Sequence, residues 1–306
     1  MPIYGSAPYI EKSIRSVLES DIAVEIQLVA VTYQIDDAVT KVLTAASKDS
    51  RVNIIQASGP GIVNALNDGL KYSRFPFIAR LDADDVMKPN RLHTQLSYLQ
   101  ENSNIVCVGS QISFINENDY EIGGSNYPVG IISSLAEFHF KCLLAHPSTM
   151  YSRDLAIEIG GYQSLVKKGH TDLGEDFDFW LRMSRLGEIA NLPTTLTLYR
   201  QHEDQTSINN LRAQEIATIY IAAINLNRVS RKTLQLQELA LASTISVVSK
   251  VYRATGFIST ALVFVNLILF RRYGEMHRRK SLIYLVLSNM KRVFFYIFLR
   301  KSNKTY

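Results

Sequence analysis

An α/β architecture with a mostly parallel central sheet is the fold class that the first 110 residues predict. Three observations carry it: short apolar runs suited to buried strands, helical apolar spacing between them, and regular alternation of the two. Such alternation implies βαβ units, and in their sheets ligands sit at the carboxyl ends of the strands. Ile10, Ile14, Val17 and Leu18 predict a helix over 11–18, and Ile26 to Val31 is a strand-like run. A helix over 40–46, a strand over 52–55 and a helix over 62–71 lead to the strand Phe77-Ile-Ala-Arg-Leu81. A helix over 91–99 and a buried strand over 105–108 continue the pattern. The turn Met1-Pro-Ile-Tyr-Gly-Ser-Ala should itself follow a strand. The expectation is therefore either a nearly absent first strand or a start codon assigned late. Long helical patterns occupy 211–226 and 234–248.

A chain of 306 residues with 47% hydrophobic and 20% charged residues can bury a core, and global disorder is excluded. The net charge of +5 hides an asymmetry. From Lys250 onward twelve Lys or Arg stand against one acid, Glu275, giving +11 and leaving residues 1–249 at −6. An acidic body and a basic, apolar tail face different partners. Because the positive charge lies in an apolar tail, nucleic acid is not expected as a partner. Cys107 and Cys142 lie far apart without a C-x-x-C pairing, which argues against a disulfide framework or a cysteine zinc site and fits a reducing compartment. The opening residues lack a charged and a long apolar region of the signal-peptide kind, so the body is expected in the cytoplasm.

Three segments carry chemistry. In Arg80-Leu-Asp-Ala-Asp-Asp85 an apolar strand runs into Asp82, Asp84 and Asp85. Clustered carboxylates repel unless a cation or basic group neutralises them, and hard oxygen ligands suit Mg²⁺ or Mn²⁺. A polar loop capping a strand fits the same residues. In Gly174-Glu-Asp-Phe-Asp-Phe-Trp-Leu-Arg182 the acids Glu175 and Asp176 open an aromatic helix. They suit either a helix N-terminus or a general base that takes the proton from an attacking hydroxyl. In Leu198-Tyr-Arg-Gln-His202, followed by Thr206 and Ser207, His202 is either structural or a ligand in a metal site. Ala65-Leu-Asn67, His146-Pro-Ser-Thr-Met150 and the tight turn Gly160-Gly-Tyr162 read as scaffold.

Taken in order over residues 1–207, these segments resemble the family 2 glycosyltransferases of GT-A fold. The pieces are Met1-Pro-Ile-Tyr with Tyr9 and Glu11, Ala65-Leu-Asn67, Asp82-Ala-Asp-Asp85 and His146-Pro-Ser-Thr. Gly160-Gly-Tyr162, Glu175-Asp176 with Trp180-Leu-Arg182, and Tyr199-Arg-Gln-His202 complete the set. The resemblance implies a Rossmann-like GT-A domain over 1–207, then a helical linker over 208–249 and a basic apolar helical tail over 250–306. It implies inverting transfer of a sugar from a nucleotide-sugar donor to a glycan or glycolipid acceptor in bacterial surface glycan synthesis. By the same resemblance Asp82 reaches the nucleotide, and Asp84, with His202, binds Mg²⁺ or Mn²⁺. Pro2, Tyr4, Glu11, Arg80 and Ala83 line the nucleotide-sugar site, and Asp176 is the catalytic base with Glu175 beside it. Two departures stand out. The family places acids after its second strand, one of which reads the nucleotide base; here Thr32 and Tyr33 fall there, with Asp36 and Asp37 further on. The Gln-x-x-Arg-Trp motif of processive synthases is absent, which favours single addition. A non-catalytic nucleotide-binding member is the alternative. A nucleotidyltransferase is another, but Gly5-Ser-Ala does not supply the Gly-rich basic loop it would want.

In the tail, Ala254 to Phe270 is an uncharged run of seventeen residues between Arg253 and Arg271, at the lower limit for crossing a bilayer. Its basic flanks and the aromatics of 294–299 suit an in-plane helix on anionic lipid at the inner face of the cell membrane. A true span and a helical pair packed on the body are the other readings.

Overall fold

The computed structural model describes residues 1–132, 142–169 and 171–202, with residues 213, 214, 217, 218, 221, 224 and 225, all within one unit, Met1–Asn225. Thr206, Ser207 and the tail from Lys250 lie outside the described residues. Among the described residues no helix is long and apolar enough to cross a membrane.

The α/β class holds, with its strands in a parallel and a mixed sheet. β1 (Pro2–Tyr4), β2 (Leu28–Tyr33) and β3 (Val52–Gln56) form a parallel sheet in the order β1-β2-β3. The first strand is present but only three residues long, and its register places Pro2 opposite Val31 and Tyr4 opposite Tyr33. Between these strands run α1 (Ile10–Leu18) and α2 (Asp37–Ala46), and α3 (Ile62–Tyr72) follows β3. α2 starts three residues before the predicted Thr40 because the Asp36 carboxylate accepts the Val39 N–H at 2.8 Å, an N-cap.

The second sheet has the order β4-β9-β6-β12-β5, formed by β4 (Phe77–Ala79), β5 (Val86–Met87), β6 (Ile105–Ile115), β9 (Met150–Ser152) and β12 (Glu188–Arg200). β7 (Glu121–Gly124) pairs with β6, and β8 (Gly130–Ile131) with β12. β6 and β12 run parallel, whereas β4, β5, β7, β8 and β9 pair antiparallel to their neighbours. β6 extends seven residues past Val108 because its buried polar groups find partners. The Ser110 N–H donates to the Ser148 hydroxyl, and Gln111 bonds Tyr127 O at 2.9 Å and the Ser125 hydroxyl at 2.8 Å.

α4 (Arg91–Glu101), α5 (Arg153–Glu158) and α6 (Glu175–Met183) cover this sheet, with a small hairpin of β10 (Lys167–Lys168) and β11 (Thr171–Asp172) before α6. The core centres on Phe177, Phe179, Trp180 and Tyr151, joined by Val63, Leu66 and Leu70 of α3. Ala217 and Ile221, from the stretch expected as a linker, are buried in the same cluster. The scaffold motifs meet here. The Tyr162 N–H donates to Asn67 Oδ1 at 2.8 Å, and Asn67 Nδ2 donates to Tyr162 O at 3.0 Å. Gly161 sits between them at φ +66, and a Cβ there would lie 2.4 Å from Asn67 Oδ1, so only glycine fits.

Candidate active site

β4 delivers the chain into the acidic turn at the carboxyl end of its strand. Arg80 is buried, and its Nη2 donates to Asp82 Oδ1 at 2.6 Å. Its Nε and Nη1 have no hydrogen-bond partner among the described residues. The Ser13 hydroxyl of α1 donates to Ala83 O at 2.8 Å, pinning the turn against the parallel sheet. Asp85 is fully buried and accepts the Arg200 N–H at 2.9 Å. The Arg200 guanidinium donates to Asp84 O and Asn116 O, pairs with Asp119 at 2.6 Å, and lies 4.1 Å over the Tyr9 ring. His202 Nε2 stands 3.1 Å from Asp84 Oδ2.

Asp82, Asp84 and Asp85 each offer an oxygen, and these atoms lie within 4.8 Å of one another. Burial, then the charge of Asp82, pushes the Asp84 carboxyl above its usual range, against the hydrogen bond from His202. Burial, then Asp82 and Asp84, does the same to Asp85 more strongly. Mutually repelling hard oxygens with two half-exposed members, Asp82 and Asp84, fit Mg²⁺ or Mn²⁺. The capping reading also finds its residue: Asp85 is held by a backbone amide and serves the fold.

The second acidic site opens α6. Gly174, at φ +70, precedes it, and a Cβ there would come 2.7 Å from Ile221 Cδ1. Burial, then Asp176, raises the Glu175 carboxyl to about 8. Burial raises Asp176 too, opposed by the Phe177 N–H, which donates to Asp176 Oδ1 at 2.7 Å, and by Arg80. The charge of Asp82 adds to the rise. Arg80 and Asp82 thus act on Asp176 across the site, and the two acidic segments share one electrostatic field. Behind Asp176, Arg182 pairs with Asp178 at 2.7 Å in the core. His146 is buried against Tyr162, 2.9 Å from its hydroxyl, and burial followed by Arg80 lowers its proton affinity far below the usual range. It is a neutral scaffold residue.

The other expected positions divide. Pro2 and Tyr4 lie on β1, with Tyr4 exposed, and Glu11 is exposed in the first turn of α1. Arg91 was not singled out from the sequence. It is fully buried, bonding Gln95 Oε1 at 2.9 Å, Arg80 O and Pro147 O at 2.7 Å each, and Thr149 O at 3.1 Å. It ties the acidic strand to the His146-Pro-Ser turn. Burial lowers its proton affinity to about 9, so it still carries its charge at neutral pH. Cys142 also stands at the acidic site, its Sγ 3.9 Å from Asp176 Oδ2. No sequence signal marks either position, because the contacts of Arg91 with Pro147 and Thr149 and of Cys142 with Asp176 each span more than thirty residues.

Comparison with known proteins decides the family. The model of "Glycosyl transferase family 2" matches residues 1–160, more than half of the chain. The chain belongs to glycosyl transferase family 2. An uncharacterized glycosyltransferase of Haemophilus influenzae is 32% identical to this family 2 member over 213 residues, 67% of this chain and 65% of that protein. The O-antigen biosynthesis glycosyltransferase WbnJ of Escherichia coli is 33% identical over 176 residues, 56% of this chain and 65% of its own. The chain thus spans just under two thirds of the length of these relatives. Among solved structures, S. aureus TarS 1–349 in complex with UDP-GlcNAc superposes with a TM-score of 0.58 at 15% identity, covering 85% of this chain and 73% of that one. At that identity the likeness concerns the fold, which is the GT-A fold expected from the sequence.

Proposed function

We propose that this chain is a metal-dependent, inverting glycosyltransferase that adds one sugar from a nucleotide-sugar donor to the hydroxyl of a glycan or glycolipid acceptor in bacterial surface glycan synthesis. The observation that carries the reading is the pair of acidic segments, Asp82-Ala-Asp84 and Glu175-Asp176, under the common charge of the buried Arg80. Asp84 and His202 would hold Mg²⁺ or Mn²⁺, which when bound supplies positive charge to the departing diphosphate. Asp82, Ala83, Arg80, Pro2, Tyr4 and Glu11 form the donor side. Asp176 accepts the acceptor's hydroxyl proton while that oxygen bonds to the anomeric carbon and the carbon–oxygen bond to the diphosphate breaks. A carboxyl whose proton affinity is raised is the stronger base for this transfer. The O-antigen role in the name of WbnJ and the UDP-GlcNAc held by TarS support the donor and product classes. The domain division at 207 and 249, and the tail as a peripheral anchor at the inner face of the membrane, belong to the same reading.

Two variants test it, with nucleoside diphosphate binding in Mn²⁺ and transfer from a nucleotide-sugar panel as readouts. Asp84→Ala loses metal-dependent binding. Asp176→Asn keeps binding and loses turnover by a factor on the order of 10² or more. Unchanged binding in the first variant, or equal loss of binding and turnover in the second, removes the assigned role.

A further inference from the structure

We propose that Asp119 is a positioning residue of the metal site: from the turn between β6 and β7 it holds the Arg200 guanidinium on Asp84, and so sets the geometry in which Asp84 and His202 take the cation. The inference rests on the metal site proposed above and adds a residue outside the motifs that announce it. Among the described residues Asp119 is one of two non-glycine residues in the left-handed region, at φ +68. Glycine takes that conformation in a hairpin turn without strain. An aspartate there holds a strained backbone, and such outliers gather at working sites.

The turn presents two acceptors to one side chain. Asn116 Oδ1 accepts the N–H groups of Asn118 and Tyr120 at 2.9 and 3.0 Å, and the Asn116 N–H donates to Tyr120 O at 3.0 Å. Asn116 O then takes Nη1 of Arg200 at 2.8 Å, and Asp119 Oδ1 takes Nη2 at 2.6 Å. With both ends of the planar fork gripped, Nε is aimed at Asp84 O, 2.9 Å away. The other Asp119 oxygen pairs with Lys12 of α1 at 2.6 Å, and the guanidinium lies over Tyr9 of the same helix. The Lys12 bond, opposed by burial and joined by the Arg200 bond, keeps the Asp119 carboxyl below its usual range, so it is charged at neutral pH.

Two effects reach the cation, and they have the same sign. Arg200 ends β12 two residues before His202, whose Nε2 stands 3.1 Å from Asp84 Oδ2. A guanidinium released from the turn lets Asp84 O and the end of β12 shift, and ligands that shift bind less well. Asp119 also offsets the charge of the buried Arg200. Without that carboxylate the guanidinium on Asp84 repels a divalent cation more strongly.

The full chain, Asp119→Asn, Asp119→Gly and Glu117→Gln are titrated with Mn²⁺ in the presence of UDP and, separately, GDP, with free Mn²⁺ read by electron paramagnetic resonance. Trp180 fluorescence gives each melting point, and the titrations are run below it. Asparagine tolerates the left-handed backbone and keeps an acceptor for Arg200 without the charge, whereas glycine relieves the backbone and loses both. The expected Mn²⁺ affinity falls about threefold in Asp119→Asn, the scale of a half-exposed ion pair. It falls about tenfold in Asp119→Gly, the lower end for a hydrogen bond to a charged group. Glu117→Gln removes the same charge from an exposed place in the same turn and should stay within about twofold of the parent. A merely structural Asp119 would move the melting points and leave the affinities, which overturns the proposal. So does a Glu117→Gln loss equal to that of Asp119→Asn. If Asp119→Gly does not fold, Asp119→Asn decides alone. A parent that takes up no Mn²⁺ with either nucleotide strikes the metal-dependent reading itself, and this proposal with it.

Discussion

Gly161→Ala should be among the most damaging single-methyl changes this chain can carry. An alanine held in the left-handed region costs about 1–2 kcal/mol. Its Cβ would stand 2.4 Å from Asn67 Oδ1, so Asn67 must move. Moving it breaks two hydrogen bonds, from the Tyr162 N–H at 2.8 Å and to Tyr162 O at 3.0 Å. At about 0.5–1.5 kcal/mol each, these bring the loss to roughly 2–5 kcal/mol. For a domain of this size about 3 kcal/mol lowers Tm by roughly 6–12 °C. Trp180 is the chain's one tryptophan and is buried in the cluster that contains Tyr162, so its fluorescence follows this unit directly. Asn67→Ala gives the control. It already lacks both bonds and the clashing oxygen, so the double variant should lose at least about 1 kcal/mol less than the sum of the singles. A melting point for Gly161→Ala within 2 °C of the parent (about 1 kcal/mol or less), or strict additivity in the double variant, would refute this account of the turn.

Two further outcomes follow from the charges. With a carboxyl pKa raised from 4.5 to about 8 in the folded chain, Glu175 is mostly protonated at neutral pH. The stability that its neutral form contributes is complete below pH 4.5, declines as pH rises, and is gone above about 8. Glu175→Gln should thus gain melting temperature relative to the parent as pH goes from 5 to 8.5, and a constant difference across that range would count against the shifted carboxyl. The +11 tail should carry the full chain down with anionic vesicles and release it partly in high salt, whereas a chain that ignores vesicles at low salt has no interfacial tail.

Spacing made the helices legible. Ile10, Ile14 and Val17, or Leu92 and Leu99, repeat on one face whatever the rest of the chain does, and those faces are buried. The end of β6 was not legible. The apolar run stops at Val108, and Gly109-Ser-Gln-Ile-Ser113 continues the strand only because Ser148, Ser125 and Tyr127 take its polar groups. The mixed pairing of the second sheet is equally non-local, since β4 lies beside β9 rather than beside a sequence neighbour. In the site, the acids announced themselves because carboxylates crowd together only with a reason. The buried arginines did not. Arg91 and Arg200 look like surface residues in the sequence, and the carbonyls that hold them come from turns that only the folded chain brings near.

The clasp between Asp85 and Arg200 also sets an order of events during synthesis. That hydrogen bond closes a loop of 115 residues, and the contact of His202 with Asp84 closes one of 118. Loops of such length form late, after local helices and hairpins have organised. While the chain emerges from the ribosome, the acidic turn is translated early, yet its amide partner arrives only with the last residue of β12. The family match ends at residue 160, before that strand. A fragment cut there would carry the whole Asp82-Ala-Asp-Asp85 motif with Asp85 deprived of the Arg200 amide, and should bind metal poorly despite a complete signature.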